Sequence, residues 1–160
     1  MNRDIVYLET NDLNQNAILA YWQKDDSTLI QLAGSPFLTG GTGIANPMQA
    51  LGPDDDDNQL LITSNKNFLL AVNPGSNNIS VFKIHEAGIL ESVDGSPFSS
   101  EGQSPVSIGQ NGDYIYVVNK AVDTTSDKQN TIPNYTIFTL DQSGRLHHVP
   151  NSTVETTKGS

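Results

Sequence analysis

The side chains that could do chemistry are few, and they lie far apart in the sequence. Asp54 to Asp57 offer the oxygen ligands that calcium prefers, but the alternating aspartates and the closing glutamate of a calcium loop are missing. His85 directly follows a predicted strand, and His147 and His148 are adjacent, so no two histidines are spaced to converge on a metal together with a carboxylate. The sequence therefore predicts a solvated acidic loop, surface histidines, and neither a metal site nor a cofactor.

The familiar catalytic and nucleotide-binding motifs are also incomplete. Gly40 to Gly43 resembles the start of a phosphate-binding loop, but the glycine and lysine that would complete either common motif do not follow. The chain has no G-x-S-x-G elbow for a serine hydrolase and no cysteine for thiol chemistry or disulfides. We interpret Gly40 to Gly43 as a flexible connection between two structural units.

Composition narrows the class of protein and its partners. The chain has 160 residues, 18 of them acidic and 8 basic, and the basic residues are scattered singly. A net charge of −10 without a basic patch argues against nucleic acid as a partner. No apolar stretch is long enough for a signal peptide or a membrane span. We expect one soluble, cytoplasmic domain without a membrane partner.

Apolar residues alternate with period two in short runs, and no helical stripe extends over three turns. In one such run, Ile79 and Val81 point to one side while Phe82 and Ile84 point to the other. Turn-forming sequences rich in Asn, Gly and Asp separate the runs. The sequence therefore predicts an all-β protein.

The runs form three similar copies. Each copy has a strand that ends near an asparagine, then a second and a third strand, and then a Gly-Ser-Pro-Phe motif or its counterpart. The first strands are 6–11, 68–73 and 114–119, the second are 18–23, 79–84 and 135–140, the third are 29–32, 89–93 and 146–149, and the closing motifs are 34–37, 95–98 and 151–154. Length varies only in the predicted turns, as stacked β units tolerate.

A short extra strand precedes the second and third copies, at 60–64 and 105–109. A four-stranded antiparallel unit of this kind is a propeller blade, so we predict a single partial β-propeller domain over 1–160 with blades near 4–58, 59–104 and 105–160. Closed propellers have about 4 to 8 blades. We expect the remaining blades of a ring of about seven, or a second copy of the chain, to complete it.

Several segments resemble the seven-bladed β-propeller lactonases. They are Val-Asn-Pro-Gly-Ser-Asn-Asn-Ile-Ser-Val-Phe at 72–82, the Gly-Ser-Pro-Phe motifs, Ser-Pro-Val-Ser-Ile at 104–108 before Gly-Asp-Tyr-Ile-Tyr-Val-Val-Asn, and Gly-Arg-Leu at 144–146. That family includes 6-phosphogluconolactonase and a muconate-cycloisomerising branch. The resemblance covers nearly the whole chain and implies a hydrolase acting on a sugar lactone. Its matching residues are mostly structural.

In a propeller, ligands bind at one mouth of the central channel. The matching substrate-binding candidates are Gln103, Ser104 and Ser107 before and on the inner strand of the third copy, with Asn73 and Asn119 at turns of the same mouth. Asparagine also satisfies turn backbone, which is the structural alternative for both asparagines.

The chain departs from the lactonase pattern at the inner strand. The phosphogluconolactonase branch favours histidines there, whereas this chain has Pro105, Val106 and Ser107. Lactone opening needs a general base or a metal-activated water, and the sequence identifies no catalytic residue. The alternative is a non-catalytic propeller that binds a ligand or protein partner through its channel mouth or rim.

Overall fold

The computed structural model describes residues 4–44, 58–121 and 132–156. Within these ranges the chain forms fourteen β-strands and one short 3-10 turn, Glu86–Gly88, which confirms the all-β prediction. No helix among the described residues has the length and apolar character needed to cross a membrane. The acidic run Asp54 to Asp57, considered above as a cation site, lies outside the described residues.

The strands form three antiparallel sheets in chain order. Sheet 1 contains β1 (Asp4–Glu9), β2 (Ala17–Gln23), β3 (Leu29–Gln31) and β4 (Phe37–Leu38). Sheet 2 contains β5 (Leu60–Ile62), β6 (Phe68–Asn73), β7 (Asn78–Ile84), β8 (Leu90–Ser92) and β9 (Phe98–Ser99). Sheet 3 contains β10 (Pro105–Asn111), β11 (Tyr114–Asn119), β12 (Asn134–Leu140), β13 (Leu146–His148) and β14 (Val154–Glu155).

The three sheets share one plan. The outermost position is filled by two short strands, such as β8 and β9, which both pair with β7. Sheets 2 and 3 begin with an inner strand, β5 or β10, whereas sheet 1 begins with β1, the counterpart of β6 and β11. The structure therefore confirms the repeat, and among the described residues no inner strand pairs with β1.

Sheet 2 lies between the other two sheets, and this explains its apolar sequence. One face contributes Phe68, Leu70 and Val72 to the core shared with sheet 3, and the other contributes Leu69 and Ala71 to the core shared with sheet 1. All six residues of β6 are buried, because alternate side chains enter opposite cores. Three sheets stacked face to face in this way form part of a β-propeller, as predicted.

Aromatic side chains at equivalent positions of the second strands confirm the register of the three copies. Tyr21, Phe82 and Phe138 occupy equivalent places on the second strand of each copy. Phe82 and Phe138 are each 2% exposed. Tyr21 is half-buried, because it lies on the face of sheet 1 that no described sheet covers.

The Gly-Ser-Pro-Phe motif interrupts the outermost strand rather than ending it, which corrects the sequence interpretation. The hydroxyl oxygen of Ser96 accepts the N–H of Val81 at 2.9 Å, in the gap between β8 and β9. The counterparts Ser35 and Ser152 accept backbone N–H groups of β2 and β12 in the same way. The serine hydroxyl therefore accepts the N–H group that would otherwise bond to a backbone carbonyl of the outermost strand.

The residue before that serine explains how the third copy can lack the Gly-Ser-Pro-Phe sequence. Gly34, Gly95 and Asn151 have φ values of 87°, 85° and 61°, in the left-handed region that glycine and asparagine tolerate. The third copy therefore keeps the turn and its serine without the Gly-Ser-Pro-Phe letters.

Candidate functional site

The predicted site residues lie at one end of the sheets, which we call the mouth. β10 begins there, because Pro105 is paired with Asn119, the last residue of β11. A parallel bridge between Asn58 and Ser107 places the start of β5 beside the start of β10. The inner strands of sheets 2 and 3 therefore start at the same end, as expected for a channel mouth.

Asn73 is fully buried, and its amide joins sheets 1 and 2. Its Oδ1 accepts from Asn16 Nδ2 at 2.9 Å and from Thr39 Oγ1 at 2.7 Å. Its Nδ2 donates to Asn78 Oδ1 and Ser80 Oγ, both at 2.8 Å. These four bonds use the whole capacity of a side-chain amide, so Asn73 has no group left for a ligand.

Asn119 repeats this arrangement between sheets 2 and 3, with fewer bonds. It is fully buried, and its Nδ2 donates to Ser100 O at 3.1 Å and to Asn134 Oδ1 at 2.9 Å. Its Oδ1 has no hydrogen-bond partner among the described residues. The hydroxyl of Ser100, the counterpart of Thr39, donates to Gly102 O instead. Both asparagines therefore have structural contacts in this arrangement.

Glycines allow the preceding connection to pack on these amides. A Cβ added to Gly41 would lie 2.4 Å from Cγ of Asn73, and one added to Gly102 would lie 2.4 Å from Cγ of Asn119. The Gly41 carbonyl accepts from Asn16 N at 3.0 Å, and the next carbonyl, of Thr42, accepts from Gly75 N at 3.0 Å. The prediction that Gly40 to Gly43 is a flexible connection is wrong, because this segment is bonded to both sheets.

The other three predicted residues lie along the start of β10. Ser104 is 3% exposed and has a left-handed φ of 51°. Its N–H donates to Asn77 Oδ1 at 2.8 Å, and its carbonyl accepts from Lys120 N at 3.1 Å. Gln103 and Ser107 are half-buried, so their side chains keep some access to solvent. Of the five predicted site residues, only Gln103 and Ser107 are therefore partly accessible to solvent.

Two charged residues at the mouth were not identified as candidates from the sequence. Glu9, half-buried at the end of β1, takes the register position that Val72 and Val118 take in the other sheets. Its Oε1 accepts from Asn16 Nδ2 at 2.5 Å. Lys120 follows Asn119 directly and lines a cavity of about 190 Å³ together with other mouth residues, Asn134, Tyr135 and Thr156. The alignment of the copies in the sequence sets Glu9 opposite Ala71, so the position that it shares with Val72 is visible only in the strand register of the structure.

The histidines and the perturbed aspartate lie elsewhere. His147 Nε2 is 2.8 Å from Asp141 Oδ2 at the end of the sheets opposite the mouth, and His85 Nε2 is 2.6 Å from Glu91 Oε2. The hydrogen bonds from His147 and Ser143 hold the pKa of Asp141 well below its usual range. Both histidines are exposed, as predicted. In the described ranges, no three His, Asp or Glu side chains group as metal ligands do.

Comparison with known proteins identifies the fold. No protein-family model and no curated protein matches the sequence. The chain is similar in structure to a functionally unknown protein from Desulfotomaculum acetoxidans DSM 771, with a TM-score of 0.59 and 18% identity. It is also similar to a protein from Lactobacillus plantarum, with a TM-score of 0.56 and 19% identity.

The two matches cover most of this chain but less than half of each solved chain. Each match covers 91% of this chain and 40% of the solved chain. This chain therefore spans about two fifths of the length of the proteins it resembles. At 18–19% identity, the likeness concerns the fold.

Proposed function

We propose that this protein is a lactonase-like β-propeller that binds and hydrolyses a sugar lactone, such as 6-phosphogluconolactone, at the mouth. The observation that carries the proposal is the mixture of groups there. Gln103 and Ser107 offer uncharged donors and acceptors suited to sugar hydroxyls. Lys120 adds a cation suited to a phosphate or carboxylate substituent, in a chain whose net charge is −10.

Glu9 is the residue we propose as general base. In lactone hydrolysis a water oxygen bonds to the carbonyl carbon, the ring C–O bond breaks, and the products are a hydroxyl and a carboxylic acid, which ionises to a carboxylate by releasing a proton to solvent. A carboxylate that accepts the water proton speeds the attack and can return the proton to the leaving ring oxygen. Glu9 is a carboxylate at the mouth whose Oε1 is held by the Asn16 amide, and the buried Oε2 is the oxygen that would accept the proton of an enclosed water.

The second candidate is a propeller that binds a ligand or protein partner without catalysis. The hydrogen bonding of the asparagines favours it, because the amide capacity of Asn73 is already used between the sheets. Ligand binding without turnover would fit this arrangement.

Turnover and binding assays separate the two candidates. The 160-residue chain is assayed against 6-phosphogluconolactone and simple aldonolactones, and calorimetry measures the binding of the stable aldonate products. For the lactonase we expect turnover above buffer hydrolysis and a loss of about 100-fold or more in Glu9→Gln. The control, Asp25→Asn in an exposed turn, keeps full activity. Binding with turnover no faster than buffer supports the second candidate, and the absence of both contradicts the mouth as a sugar-lactone site.

A further inference from the structure

The hairpin between β10 and β11 contains the single Asn-Gly pair of the sequence, Asn111 and Gly112. Asn111 is the last residue of β10 and is paired with Tyr114, so Gly112 and Asp113 alone form the turn. Gly112 has a φ of 60°, which glycine adopts without strain. The turn and the two residues that flank it are exposed, at the end of sheet 3 opposite the mouth.

The backbone nitrogen of Gly112 and the side-chain amide of Asn111 are both accessible. The Gly112 N–H donates no hydrogen bond to a described residue, because the ladder resumes only at Tyr114. The Asn111 amide likewise has no hydrogen-bond partner within the described ranges. A Cβ added to Gly112 would meet nothing within 4 Å, so neighbouring groups leave the turn open to water.

Other asparagines of the chain are held differently. Asn73 is fully buried, and contacts between the sheets use all of its amide groups. Asn151 is exposed like Asn111, but the N–H that follows it, of Ser152, donates to Val149 O at 3.2 Å. Asn111 therefore combines an exposed amide with an unbonded following N–H, and Asn151 is an internal reference for it.

We propose that Asn111 is a site of spontaneous deamidation, with water as the co-reactant. The Gly112 nitrogen bonds to Cγ of Asn111, the bond from Cγ to Nδ2 breaks, and Nδ2 leaves as ammonia with the proton of the Gly112 N–H. Water then adds to either carbonyl carbon of the resulting succinimide ring and breaks the bond from that carbon to the ring nitrogen. The product is an aspartyl or an isoaspartyl residue, and its carboxylic acid ionises by releasing a proton to solvent.

The isoaspartyl product should weaken the contact between sheets 2 and 3. Gln110, which precedes Asn111, accepts the N–H of Ser64 through Oε1 at 2.8 Å and donates to Gly112 O through Nε2 at 2.9 Å. An isoaspartyl residue adds one methylene to the backbone, so it shifts Gly112 relative to Gln110 and disturbs the pairing with Tyr114. The aspartyl product leaves the backbone unchanged.

Ageing of the intact 160-residue chain in mildly alkaline buffer tests the proposal. Peptide mass spectrometry follows Asn111 and Asn151, and an endoproteinase that cleaves before aspartyl but not isoaspartyl residues distinguishes the products. Asn111 should convert within about tenfold of its rate in guanidinium-denatured chain, because an exposed turn reacts without unfolding. Asn151 should remain intact over the same period.

Asn111→Gln is the matched variant, since it keeps the amide but would have to close a larger ring. Position 111 of this variant should stay unmodified. Retention of Asn111 in the folded chain while the denatured chain converts, conversion of Asn151 before Asn111, or equally fast loss of the amide in Asn111→Gln overturns the proposal.

Thermal melts test the effect on the hairpin separately. The isoaspartyl form, purified from the aged chain, is compared with Asn111→Asp, which has the same net charge and a normal backbone. The isoaspartyl form should melt a few degrees lower. Equal melting temperatures would overturn the inferred weakening of the contact between sheets 2 and 3.

Discussion

Asparagine and glycine act together at each junction between neighbouring sheets. The amides of Asn73 and Asn119 bond to the preceding connection, and Gly41 and Gly102 let that connection pack directly on them. The combination makes a short polar contact beside each apolar core. Residues that looked like ligand-binding candidates in the sequence therefore contribute to stability.

Gly41→Ala should destabilise the protein by about 1 to 3 kcal/mol, because the new methyl group overlaps the buried Asn73 side chain. Urea denaturation measures the loss. Gly109→Ala is the matched control, since an added Cβ there meets nothing within 4 Å. Equal stability of Gly41→Ala and the control would show that the connection does not pack on Asn73.

Asp141 should make stability depend on pH in acid. Its folded-state pKa is lowered by hydrogen bonds to His147 and Ser143, so its contribution is complete above the unfolded pKa of about 4 and is lost as the pH falls further. Asp141→Asn should lower the melting temperature at pH 7, and the difference from the unmodified chain should shrink below about pH 4. Thermal melts across this range test it, with Asp25→Asn as control. A difference that stays constant with pH would rule out this origin.

At the scale of elements, burial of the second strand depends on whether a neighbouring sheet covers it. β7 has Phe82 in the core between sheets 1 and 2, whereas Tyr21 on β2 faces the side that no described sheet covers. The side chain at this position should therefore contribute more to the free energy of unfolding in the second copy than in the first.

Phe82→Ala should cost about 3 to 5 kcal/mol, as expected for a buried ring that leaves a cavity. Tyr21→Ala is the matched control at the equivalent position and should cost about 1 kcal/mol or less. Chemical denaturation of both variants measures the difference. Similar losses in the two variants would mean that an additional sheet covers Tyr21 in solution.

At the scale of the whole molecule, the two end sheets expose apolar faces. Leu8 on sheet 1 is 47% exposed, and on sheet 3 the exposed fractions of Tyr114, Tyr116 and Tyr135 are 48%, 39% and 50%. On β11 the exposed side chains recur at every second position, whereas all six residues of the equivalent strand β6 are buried because sheets cover both of its faces. We propose that further blades or a second copy of the chain cover these faces, while the net charge of −10 opposes association of two copies.

The isolated chain should therefore self-associate more strongly as salt is added. Raising the ionic strength from about 0.1 M to 1 M shortens the screening length from about 10 to 3 Å and removes most of the repulsion. Light scattering after size-exclusion chromatography measures the mass. Tyr135→Thr should weaken association, and Tyr135→Phe, which keeps the apolar area, should not. A compact monomer with cooperative unfolding at every salt concentration would contradict the prediction.

The sequence by itself determined the strands, the repeat and the fold class. Period-two alternation and turn residues are local signals, and they were sufficient for β7 and for the position of each closing motif in the sequence, but not for its place within the outermost strand. Even so, the alignment of Asn11 with Asn73 was one residue off, because in the structure β1 ends at Glu9 and Thr10 bonds to Ala17. Local patterns do not report which residues lie opposite each other.

Only the tertiary structure decided which polar residues are available to a ligand. In the sequence, Asn73 and Gln103 are equally plausible at the mouth, but contacts between sheets satisfy the first and leave the second half-buried. Glu9 became a candidate in the same way, through a register position that valine holds in the other sheets. Hydrogen bonds between residues 57 positions apart, such as Asn16 and Asn73, depend on how the sheets stack, and no local sequence pattern encodes that.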